Sequence, residues 1–119
     1  MQEFEIIFYE TENGKKPVEE FLDELDDKMR AKMLMSIRIV REKGYQVRMP
    51  YSEELEDGIF ELRAKVGSDI SRVLYFFVVG RKIILTNGFI KKTQKTPKSE
   101  IERAKKYRAD YLSREEHLI

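Results

Sequence analysis

The sequence predicts an α+β fold: an antiparallel or mixed β-sheet meander packed with two N-terminal helices and one C-terminal helix, in the order β-α-α-β-β-β-α. Three observations carry this. Apolar residues recur at helical spacing between residues 18 and 40. Residues 59–66 alternate apolar and charged with period 2. The strand-like runs after residue 59 are separated only by tight turn signals, which makes them neighbours in a meander.

Taken in order, Phe4-Glu5-Ile6-Ile7-Phe8-Tyr9 is rich in β-formers and is bounded by Thr11-Glu12-Asn13-Gly14, a turn signal, so it reads as a first strand. Pro17 suits the first position of a helix, and Val18, Phe21, Leu22 and Leu25 give that helix one apolar face. Asp26 is placed to cap a second helix. Its stripe is Met29, Met33, Ile37 and Val40, and Gly44 fits the position just past its end. Residues 45–57, with Pro50, read as a polar loop. In Ile59–Val66 one face holds Phe60, Leu62, Ala64 and Val66, and the other holds Glu61, Arg63 and Lys65. Gly67-Ser68-Asp69 is a hairpin turn. Ser71–Val79 is nearly all apolar, as a strand covered on both faces must be. Gly80-Arg81 turns the chain again, and Lys82–Phe89 returns as a strand. Thr96-Pro97 opens the last helix, with Thr96 as cap and Pro97 at the first position. Ile101, Ala104, Arg108 and Tyr111 fall on one side of it.

The chain has 119 residues, which is read as one domain, 1–119. There is no cysteine, so disulfides, thiolate zinc and thiol catalysis are excluded, and a reducing, cytoplasmic setting is expected. The acidic start, Met1 to Glu5, does not resemble a secretory leader, and no run reaches the ~20 apolar residues of a membrane span. The single histidine, His117, leaves no basis for a His-based triad or a multi-His metal site, and no metal or cofactor is expected.

A net charge of +1 hides a strong asymmetry. Residues 1–62 carry 9 Lys/Arg against 16 Asp/Glu, whereas residues 80–109 carry 10 against 2. A face this basic either binds a polyanion or pairs with the acidic half of the same chain. The acidic run Glu53, Glu54, Glu56, Asp57 reads as a solvated loop rather than a metal site, and Asp23 to Asp27 read as helix capping and solvation. The basic residues suggest more. Arg63 and Lys65 lie on one face of their strand, Arg72 begins the strand across the hairpin, and Lys91, Lys92 and Lys95 follow the last strand. In a meander these three places can converge at one end of the sheet. Arg binds phosphate bidentately and Lys as a point charge. Fixed cations also stabilise the charge that builds up when a 2′-OH attacks its neighbouring phosphorus, and a lysine crowded by cations can accept a proton. Tyr75 either packs in the core or stacks on a base, and Arg72 either meets phosphate or pairs with Glu61 to seal the end of the sheet.

The residues then resemble a known family. Asp57-Gly58-Ile59-Phe60-Glu61-Leu62-Arg63, Ser71-Arg72-Val73-Leu74-Tyr75-Phe76 and Asn87-Gly88-Phe89-Ile90-Lys91-Lys92-Thr93-Gln94-Lys95-Thr96-Pro97 are similar to segments of RelE/ParE-superfamily toxins, in the HigB-like, phage-derived Gp49-like branch. The similarity spans about residues 4–111. Ser71 departs from the pattern, which has an aromatic residue there. The resemblance implies a RelE-like fold and the toxin of a type II toxin–antitoxin pair, an endoribonuclease that cuts messenger RNA on the ribosome without metal. The resemblance singles out Arg63, Arg72, Lys91, Lys92 and Lys95; joined to the reading of the basic residues, Arg63, Arg72, Lys91 and Lys92 are the expected catalytic residues, and Lys65, Tyr75 and Lys95 the expected RNA contacts. The implied partners are a helix-turn-helix, HigA-like antitoxin and ribosome-bound messenger RNA, with DNA reached only through the antitoxin. The ParE-like members imply one alternative, a gyrase poison that works by protein binding; the other is a non-catalytic toxin homologue that acts only through its complex with antitoxin and DNA. The fold serves both nuclease and poison.

Overall fold

The computed structural model describes residues 3–48, 51–91 and 95–116. Its elements are β1 (Glu5–Phe8), α1 (Pro17–Glu24), α2 (Asp27–Lys43), a 3₁₀ turn (Gly44–Gln46), β2 (Ser52–Glu56), β3 (Ile59–Val66), β4 (Asp69–Val78), β5 (Lys82–Lys91) and α3 (Lys98–Glu116). The five strands form one mixed sheet in the order β1-β5-β4-β3-β2. Strands β2 to β5 are an antiparallel meander, and β1 closes the other edge parallel to β5. The fold is α+β, as the sequence predicts, with one strand more than the predicted order contains.

That strand is β2, which replaces the polar loop expected over 45–57. It is an edge strand, so most of its side chains face water and its composition is Ser-Glu-Glu-Leu-Glu rather than apolar. Its signal is the two-residue turn that follows. Asp57 and Gly58 have φ of 52° and 76°, the left-handed pair that Asp-Gly supplies between two antiparallel strands.

The sheet is covered on both faces. Leu62, Ala64, Val73, Tyr75, Ile83 and Leu85 point to α1 and α2, where they meet Val18, Leu22, Met29, Met33, Ile37 and Val40. The alternate residues Ile59, Leu74, Phe76 and Ile84 point to α3 and pack with Ala104, Tyr107 and Tyr111. Asp26 caps α2 as expected, its Oδ1 accepting from Met29 N at 2.8 Å. Arg30 closes α1 from the neighbouring helix by donating to the carbonyls of Leu22, Asp23 and Leu25. At Gly88 an added Cβ would lie 2.4 Å from the Phe21 ring, so glycine there lets α1 seat directly on β5.

One capping expectation changes. Helix α3 starts one residue later than predicted, and the Pro97 carbonyl accepts from Glu100 N and Ile101 N. The Thr96 hydroxyl does not serve α3; it reaches across to β3.

Candidate functional site

Arg63 on β3 and Arg72 on β4 are directly opposite each other. Opposite residues of an antiparallel pair put their side chains on the same face, so two guanidinium groups are forced together on the α3 side of the sheet. Two residues before Arg63 on the same strand face is Glu61, which supplies the counter-charge. Its Oε2 accepts from Arg63 Nε at 2.6 Å, and Arg72 Nη1 lies 3.2 Å from both carboxylate oxygens. The Thr96 hydroxyl donates to Glu61 Oε1, and Arg72 Nη1 also reaches Thr96 Oγ1 at 3.2 Å. Glu61 and Arg72 are completely buried, whereas the Arg63 side chain keeps 12% of its surface. Arg63 Nη2 also donates to Glu53 on the edge strand β2, at 2.7 Å. Charge-assisted bonds of this length are among the strong ones, and they tie together three strands and the start of α3.

The structure thus brings the two expected arginines together, with different exposure. Arg63 borders solvent. Arg72 shows no surface in this conformation and meets Glu61 and Thr96 instead. Tyr75, the expected stacking residue, is 1% exposed on the opposite face of the sheet, in the α1/α2 core. Its hydroxyl and that of Ser52 are 2.5 Å apart. Burial pushes the Tyr75 phenol up to about 12, against the opposing pull of the Ser52 bond. Lys65 is exposed and lies opposite Ile70, which is itself opposite Lys91, the last residue of β5. Lys95 is exposed just before Thr96. Lys92, with Thr93 and Gln94, lies outside the described residues, as do Pro50 and His117.

Two further cations of the basic segment, Lys105 and Arg108, are held by the acidic one. Lys105 Nζ lies 2.5 Å from Glu56, a hydrogen bond that holds the ammonium above its ordinary range, and Arg108 reaches Asp57 at 3.2 Å. The acidic run read as a solvated loop therefore pins α3 to the β2–β3 turn and holds Arg63. Sequence reasoning missed Thr96 and Glu53 as partners of the arginines. The alternation Glu61, Arg63, Lys65 carried a partial signal, since a carboxylate between basic positions on one strand face is a ready counter-ion. Among the described residues no three His, Cys, Asp or Glu are grouped to hold a metal ion, and no helix is long and apolar enough to cross a membrane.

The model of one protein family, described as phage-derived protein Gp49-like (DUF891), matches residues 20–109. That span holds Arg63, Arg72, Glu61 and Thr96. No curated protein matches the chain.

Proposed function

The chain belongs to the phage-derived Gp49-like family, a RelE/HigB-type toxin family, and from that premise we propose that it is the toxin of a type II toxin–antitoxin pair, acting in the cytoplasm as a metal-independent, ribosome-dependent messenger RNA endoribonuclease. The observation that carries this reading is the Arg63/Arg72 pair, two cations set side by side towards the end of the sheet where β5 finishes at Lys91, with Lys92 and Lys95 next in the sequence.

In this reading Arg63 contacts the scissile phosphate and stabilises the charge that develops on its oxygens as the adjacent 2′-OH attacks. Lys91 or Lys92 accepts the 2′-OH proton or adds a second cation. Arg72 belongs to the same cationic centre and, being buried, serves it through Glu61 and Thr96, which fix where Arg63 points. Lys65 and Lys95 meet the RNA backbone. A helix-turn-helix antitoxin holds the toxin inactive and links the pair to DNA.

Induced expression in cells tests the reading. Transcripts should shorten at codon-related positions and protein synthesis should stop early, with DNA supercoiling unchanged at first. In a translating extract, cleavage should persist when a metal chelator is present. Intact transcripts with gyrase-dependent DNA breaks would instead establish the protein-binding poison.

A further inference from the structure

Tyr51 continues the β2–β3 register beyond Ser52↔Leu62, because its carbonyl accepts from Arg63 N at 2.9 Å. It therefore lies opposite Arg63, and Tyr51, Arg63, Arg72 and Phe89 form one row across β2, β3, β4 and β5 on the same face. Tyr51 is 44% exposed, and among the described residues no ring stacks on it. The other tyrosines near this end of the chain differ. Tyr45 is also exposed, but its ring packs on Phe77 with centroids 4.1 Å apart, and Tyr75 is buried against Phe60.

We infer that Tyr51 is a nucleobase-stacking residue, receiving a base of single-stranded RNA whose phosphate lies on the neighbouring Arg63. Single strands are bound by pairing a cationic track with aromatic platforms, and every base offers a π-face to such a ring. Opposite residues of an antiparallel pair have Cα atoms about 4.5–5.5 Å apart, which sets a base and its own backbone phosphate within reach of the ring and the guanidinium together. Because stacking tolerates any base, Tyr51 contributes affinity and positioning rather than codon preference. The inference rests on the endoribonuclease reading for its substrate.

The chain contains no tryptophan, so Tyr51→Trp places a single fluorescent reporter at this position. The probe is a short single-stranded RNA oligonucleotide, whose binding to the unmodified protein is measured independently by anisotropy of a label on the RNA. Saturable quenching of the Trp is expected. Tyr51→Ala should weaken binding of the oligonucleotide about ten- to a hundredfold, and Tyr51→Phe should restore it. In the translating extract Tyr51→Ala should raise the transcript concentration needed for half-maximal cleavage and leave the maximal rate unchanged, the mark of uniform binding. Should Tyr51→Ala not fold, as judged by circular dichroism, the Trp and Phe variants carry the test. Binding and cleavage by the unmodified protein, with the Trp silent and Tyr51→Ala unaltered, would overturn this inference alone. An unmodified protein that neither binds nor cuts RNA would overturn the endoribonuclease reading and this inference with it.

Discussion

Arg63 and Arg72 face each other across β3 and β4, and one carboxylate, that of Glu61, binds both. Without Glu61 the two guanidinium groups would repel across the ladder; with it they form a fixed centre. The two arginines nevertheless differ in what their removal does, because one borders solvent and the other is enclosed.

Arg63→Gln should abolish growth arrest in a protein that still folds, though less stably, because the fully buried Glu61 loses one of its two cations. The Gln amide can still donate to Glu61, which limits the folding cost, while removal of one transition-state donor commonly costs roughly 10²–10³ in rate. Messenger RNA cleavage in a translating extract, with circular dichroism as the folding control, measures this. Undiminished cleavage would take Arg63 out of the mechanism.

Arg72→Ala should instead be a folding lesion. It strips the fully buried Glu61 of one of its two cations, and breaking a buried pair from one side costs about 3–5 kcal/mol. Urea unfolding should show the loss. The double variant Glu61→Leu/Arg72→Met should recover much of it, since neither charge is then stranded. If both variants are equally unstable, desolvation of Glu61 is not the cause.

Glu53→Gln should strengthen binding of an RNA oligonucleotide with little change in stability. Glu53 is 46% exposed and holds Arg63 at 2.7 Å, so it competes with an incoming phosphate; exposed pairs of this kind contribute about 0–1 kcal/mol to folding. The gain should be largest at low salt, where charge is least screened. Titration by fluorescence anisotropy at two salt concentrations tests it, and unchanged affinity at both would contradict the competition.

Alkali should unfold the protein through its buried phenols. Tyr75 and Tyr9 are pushed up to about 12, in both by burial first, and at Tyr9 the Asp110 hydrogen bond adds to it. A folded value above the ordinary 10.0 means that the folded state holds its protons longer than the unfolded chain does. Stability is therefore full below that ordinary value and falls as pH rises from it towards about 12. Denaturant unfolding at a series of alkaline pH values, beside the absorbance of tyrosinate, would show this. Tyr75→Phe should lose about 0.5–1.5 kcal/mol at neutral pH with its Ser52 bond, and should reduce the alkaline slope.

The sequence by itself determined the helices, the core strands and their order, because those elements are written in local periodicity. Met29, Met33, Ile37 and Val40 at helical spacing are all buried on α2, and β3 spans Ile59–Val66 as its alternation predicts. The sequence also placed Arg63 and Arg72 on adjacent strands across the Gly67-Ser68-Asp69 hairpin; the structure takes Asp69 into β4, and the two-residue turn that remains, Gly67-Ser68, sets the two arginines opposite each other. Tertiary structure alone decided the rest. β2 was hidden because an edge strand needs no apolar face, and only its pairing with β3 makes it a strand. Glu61 and Arg72 carry a charged, surface-like signature in the sequence, yet they are buried, because the segment around Thr96 crosses their face and each charge neutralises the other there. Tyr75 and Tyr51 are chemically alike in the sequence. The side of the sheet each one faces, and what covers that side, leaves one in the core and the other at the surface beside Arg63.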